Sequence, residues 1–76
     1  MEVKVEFKDV EQIKRFVNIT AKQEFDADIV CGRIVVDAKS ILGVLSIEST
    51  KNKSLILYAS ENEVQDYIKQ ISEVIV

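Results

Sequence analysis

The hydrophobic period of this chain switches repeatedly between two residues and about 3.6, and it does so within only 76 residues. A chain that alternates strand and helix signals this quickly has room for one sheet and the helices that cover it, not for a second core. Val3, Val5 and Phe7 alternate with Glu2, Lys4, Glu6 and Lys8, which predicts a strand with one buried and one wet face rather than a signal peptide or membrane anchor. Asp9 then reads as a helix N-cap, and Gln12 three residues on completes a capping-box pattern. Val10, Ile13, Val17, Thr20 and Ala21 follow at helical spacing and predict a helix running to about Glu24. Phe16 and Ile19 fall outside that stripe, Ile19 nearly opposite it.

Phe25-Asp26-Ala27-Asp28 leads into a strand over Ala27–Cys31. Gly32-Arg33 forms a tight hairpin turn, and Ile34–Asp37 is the return strand. Ser40 caps a short helix from Ile41 to Ser46, Ser49 to Lys53 is a polar loop, and Leu55–Ala59 is a near-continuous apolar strand suited to a central sheet position. Ser60 and Glu63 form a second capping box. Val64, Tyr67, Ile68, Ile71, Val74 and Ile75 make the stripe of a final helix, whose polar residues, Glu73 among them, form a solvated surface. The order is β-α-β-β-α-β-α, which predicts an α+β fold spanning residues 1–76 as one domain, with a four-stranded antiparallel sheet covered on one face by three helices.

Composition narrows the chemistry. There is one cysteine, Cys31, and no histidine, so no intrachain disulfide can form and the usual transition-metal donors are missing. A lone thiol fits a reducing cytoplasm, and at a strand end it reads as a small buried hydrophobe, with no histidine to activate it. The net charge of −3 disfavours phosphate backbones and anionic membranes. The expected partners are therefore proteins, with no nucleic acid, membrane, metal or cofactor, and the chain is expected to be a monomer and not an enzyme.

The densest local motif is Lys39-Ser40-Ile41-Leu42-Gly43-Val44-Leu45-Ser46-Ile47. It resembles the regulatory-serine segment of the HPr phosphocarriers of the bacterial sugar phosphotransferase system, which typically reads Lys-Ser-Ile-Met-Gly-Val-Met-Ser-Leu. Phe25-Asp26-Ala27-Asp28 is similar to the segment after the first helix in that family, and Leu57-Tyr58-Ala59 to its fourth strand. The element order also matches the family's open-faced sandwich over essentially the whole chain. The family's Gly-Ile-His-Ala-Arg-Pro-Ala segment, which carries the phosphohistidine, has no counterpart. Alignment on Phe25 sets Glu11 at the histidine, Ile13 at the arginine and Lys14 at the proline, whereas ungapped alignment from Ser40 sets Asp9 at the histidine.

The resemblance, with the histidine missing, implies a non-catalytic protein-interaction or regulatory module without phosphorelay chemistry, whose partners are phosphotransferase-system enzymes or a transcriptional regulator. Asp9 and Glu11 have three readings: caps that favour the helix dipole, a fixed charge imitating the phosphohistidine, or an acyl-phosphate acceptor. Ser40 is either a plain N-cap or, as the resemblance implies, a site of regulatory phosphorylation. Ile41, Leu42 and Leu45 match the family's docking patch, or else are ordinary core. A helix this short can give the sheet only one face, which Val44 and Ile47 fill, so the other large aliphatics are expected as a partly exposed patch beside the first-helix N-terminus, with Lys39 and Lys51 as its polar rim.

Overall fold

The computed structural model describes residues 1–76. Strand β1 (Glu2–Val5) leads to helix α1 (Val10–Ala21), followed by β2 (Ala27–Cys31), β3 (Ile34–Asp37), α2 (Ile41–Ser46), β4 (Lys53–Leu57) and α3 (Glu61–Gln70), and a single 3-10 turn, Ser72–Val74, closes the chain. The strands form one antiparallel sheet in the order β1-β4-β2-β3. This is the α+β, open-faced architecture expected from the alternating periods. No helix is long and apolar enough to cross a membrane.

Strand alternation decides which face is covered. Ala27, Ile29 and Cys31 of β2 are buried while Asp28 and Val30 are only half-buried, and Val5, Leu55 and Leu57 join the buried set from β1 and β4. With Ile13, Phe16, Val17, Val44, Ile47, Val64, Tyr67, Ile71 and Val74 they belong to one cluster of 16 buried residues. Gly32, at φ 58, supplies the left-handed residue of the β2–β3 hairpin.

Four sequence expectations need correction. The buried stripe of α1 is Ile13, Phe16, Val17 and Thr20, an i, i+3, i+4, i+7 set, whereas Val10 is 40% exposed and Ala21 faces water. Phe16 is core because its ring packs on Phe7, with centroids 5.1 Å apart, and this turns the helix toward Phe16 and away from Val10. Helix α1 also stops at Ala21, short of Glu24. The Gln23 amide takes the Ile19 carbonyl at 3.0 Å, and the chain turns so that Phe25 meets Tyr67 edge-on at 5.3 Å.

Strand β4 starts at Lys53, not Leu55, because Lys53 pairs with Val5 of β1 while Leu57 pairs with Ala27 of β2. Lys53 is therefore fully buried along its stem, while its ammonium donates to the Thr50 carbonyl and lies 3.8 Å from Glu6. Nor is the last helix continuous. It gives way after Gln70 so that Glu6 N–H can reach the Val74 carbonyl (2.8 Å) and Val76 N–H the Lys4 carbonyl (3.1 Å), which lays the C-terminal segment along β1.

A buried polar link ties α1 to α3. The hydroxyls of Thr20 and Tyr67 lie 2.7 Å apart, and Thr20 Oγ1 also donates to the Phe16 carbonyl. Burial pushes the Tyr67 phenol up to about 12, so it stays neutral and keeps this bond. Replacing Phe16 by Ala should cost about 3–5 kcal/mol in urea unfolding, whereas Val10→Ala should cost about 1 kcal/mol or less. The opposite ranking would mean that the stripe is centred on Val10.

Candidate functional site

The start of α1 is built from charges that already have partners. Asp9 is the N-cap, in extended conformation, and its Oδ1 accepts the Gln12 N–H at 2.8 Å. The capping box expected with Gln12 is displaced by one residue: Gln12 Oε1 accepts the N–H of Lys8, at 2.9 Å, rather than that of Asp9. Gln12 is consequently buried, and its Nε2 reaches Glu73 at 3.4 Å. Glu11 lies in the first turn, exposed, 3.5 Å from Lys14 Nζ.

One turn further on, Arg15 grips Glu73 with two parallel bonds, Nε to Oε2 and Nη2 to Oε1, each 2.9 Å. The hydrogen bond from that guanidinium holds the Glu73 carboxyl below its ordinary range, and the same bond raises Arg15. The sequence places Glu73 on a solvated surface, and the ion pair corrects that expectation. It comes from the 3-10 turn that folds the chain end back against α1. A pair separated by 58 positions leaves no periodic or capping signal to read. Chemically, the helix start presents the acids Asp9, Glu11 and Glu73, and the guanidinium of this turn is already committed. No group of acids, cysteines or histidines is arranged to hold a metal ion.

Helix α2 forms the second candidate region. Ser40 is its N-cap, with Oγ accepting the Gly43 N–H at 3.2 Å. Gly43 sits so close to β3 that a Cβ there would stand 3.4 Å from the Val36 side chain and from Ser40. Val44 and Ile47 are fully buried. Ile41 is 37% exposed, Leu42 78%, and Leu45 is half-buried against the core. Lys39 donates its ammonium to the Gln23 carbonyl at 2.8 Å, a commitment that its place in a polar rim did not anticipate, whereas Lys51 is exposed.

These contacts set the direction of α2. Lys39, before its first turn, is tied to the segment after α1, while Thr50, beyond its last turn, receives Lys53 beside Glu6, just ahead of α1. The two helices thus run in opposite senses, with Ser40 at the C-terminal end of α1 and the Leu45 end of α2 toward its start. Cys31 is buried, in keeping with its reading as a small hydrophobe. The two concavities of the surface lie elsewhere, one between Met1 and α3 and one bordered by Asp26, Asp28, Asp37 and Tyr58.

Comparison with protein families gives a match, over residues 9–76, to the family described as "PTS HPr component phosphorylation site". Comparison with curated proteins and with solved structures finds no match. The family match takes in nearly all of the chain, from the Asp9 cap through α2 to the C-terminal segment. The chain therefore belongs to the HPr family of phosphotransferase-system phosphocarriers, whose members carry phosphoryl groups rather than catalyse and work with protein partners.

Proposed function

We propose that this HPr-family chain acts in the bacterial cytoplasm as a non-catalytic protein-interaction or regulatory module, without the phosphohistidine relay. The observation that carries the reading is the α1 start. The chain has no histidine, and the two candidate positions hold Asp9, which caps its own helix, and Glu11. A phosphoryl group there would need cationic donors to offset two or more charges, and Arg15 is already bidentate to Glu73. An acyl phosphate on either acid is disfavoured for the same reason, since no bound-cation site accompanies it.

In this reading the partner surface is Ile41, Leu42 and Leu45. Leu42 is the most exposed large aliphatic side chain of the protein, and it stands next to Ile41 on a helix whose core contribution is already made by Val44 and Ile47. Phosphotransferase-system enzymes or a transcriptional regulator are the partners that fit a family member of this kind. Ser40 is the modification candidate. Its hydroxyl stands at a helix N-terminus, where an added phosphate would find free backbone donors, and where an unmodified serine serves as a cap.

Incubation with phosphoenolpyruvate and the general phosphotransferase enzyme should leave the purified chain unlabelled. Glu11→His or Asp9→His alone should not bring labelling to the level of a histidine-bearing family member, because no free guanidinium stands ready to hold the phosphate. Robust labelling of the unmodified chain would refute the reading. A Leu42→Asp change should shift stability by about 1 kcal/mol or less, as surface substitutions do, yet remove binding to whichever of these partners the wild type engages. Unfolding of that variant would make Leu42 core and end the docking proposal. For Ser40, the Asp variant should melt no lower than the Ala variant, since a carboxylate also caps; a Ser40→Asp variant several degrees less stable than Ser40→Ala would show a site hostile to anions.

A further inference from the structure

Helix α2 carries the partner surface of the function proposed above on only six residues. Helices shorter than about 12–15 residues hold poorly in water on their own. The fully buried residues of this segment are Val44 and, just past the last turn, Ile47, which leaves the two ends of the helix to be held by other means. Each end is held by a lysine from outside the helix. Lys39, ahead of the Ser40 cap, donates its ammonium to the Gln23 carbonyl in the turn after α1, at 2.8 Å. Lys53, the first residue of β4, donates its ammonium to the Thr50 carbonyl in the loop after α2.

That loop is bonded back onto the helix. Glu48 N–H donates to the Leu45 carbonyl at 3.3 Å, and Thr50 gives both its N–H (3.1 Å) and its Oγ1 (2.6 Å) to the Ile47 carbonyl. The Lys53 side chain beneath it is 1% exposed. A buried ammonium is costly unless it is matched. Here it meets the Thr50 carbonyl, the Glu6 carboxylate at 3.8 Å and the Phe7 ring, whose centroid lies 6.0 Å away. Glu6 and Phe7 belong to the connection from β1 to α1, and Phe7 packs on Phe16 of α1. A methionine would fill the same space with no charge to match. What the ammonium adds is a fixed position for the loop carbonyl against that connection.

We propose that Lys39 and Lys53 are positioning residues for the α2 surface: each ties one end of the helix to a carbonyl, so that Ile41, Leu42 and Leu45 are presented in a pre-set arrangement. The proposal rests on the partner surface put forward above and names what holds it in place. Presetting a surface lowers the ordering cost of binding, so loss of either tie weakens capture without removing a contact residue. The two lysines differ in one useful respect. Lys39 is half-buried at the surface, within reach of a partner, whereas Lys53 is sealed inside and can act on binding only through the position of α2.

Amide hydrogen exchange of the free protein tests this independently of any partner. Lys53→Met should speed exchange at Glu48 and Thr50 by about tenfold or more, because the loop loses its charged tie. Lys39→Met should do the same at Gly43 and Val44, whose N–H groups bond to Ser40 at the other end. In both variants the central sheet amides of Ile29 and Leu55 should keep their wild-type rates. Where the wild type binds a phosphotransferase-system enzyme, Lys53→Met should weaken that binding although the residue is out of its reach. Unchanged exchange at Glu48 and Thr50 in Lys53→Met overturns the proposal, as does unchanged exchange at Gly43 and Val44 in Lys39→Met. Acceleration spread evenly over the helix ends, Ile29 and Leu55 also overturns it, since Lys53 would then serve the whole core rather than one end of α2. Failure of the wild type to bind any such enzyme would end the docking reading, and the exchange rates would still decide this one.

Discussion

The sheet buries one face only, through Val5, Ala27, Ile29, Leu55 and Leu57, and every helix is placed by what it must lay against that face. With a single cysteine and so no intrachain disulfide, stability rests on the contact between Val5, Ile29, Leu55 and Leu57 on one side and Ile13, Phe16, Val17, Val64 and Tyr67 on the other. That contact fixes the rotation of α1 about its own axis. Once Phe16 is turned inward onto Phe7, Val10 and Glu11 must face water and Gln12 must be sealed beneath the closing turn. The chemistry of the helix start is thus a consequence of how the core packs.

The same packing explains the electrostatics there. Bringing Val74 and Ile75 back to β1 sets Glu73 next to Arg15. An exposed ion pair of this sort adds little to stability, but it alters what the helix start can receive. The free N–H groups and dipole of a helix N-terminus ordinarily welcome an anion. Here the cap is itself a carboxylate, a second carboxylate lies in the first turn, and the guanidinium that could draw in a third charge is occupied. In a family of phosphocarriers, this chain keeps the scaffold and gathers carboxylates at the start of α1.

Much of the fold was legible in the sequence because it rests on local rules. The alternation of Val3 and Val5, the caps Asp9, Ser40 and Ser60, and the Gly32 turn all act over a few residues and stand where expected. What escaped was set by contacts distant in sequence. The inward turn of Phe16 depends on Phe7, across the β1–α1 turn; the start of β4 at Lys53 depends on Val5; and the end of α3 depends on the edge of β1. The candidate site divides in the same way. The capping roles of Asp9 and Ser40 and the burial of Val44 and Ile47 could be read from spacing, while the Arg15–Glu73 pair and the tether from Lys39 to Gln23 could not.

In the function proposed above, the start of α1, although a helix N-terminus in a phosphocarrier fold, is closed to phosphoryl groups by its own carboxylates. Titration of the isotope-labelled protein with inorganic phosphate, followed by the amide resonances of Val10, Glu11 and Gln12, tests it directly. The wild type should show only the small, linear drift of an ionic-strength effect, and a larger, saturating response should follow when Asp9 and Glu73 are both made neutral as Asn and Gln. A saturable shift of those three amides in the unmodified chain would contradict it.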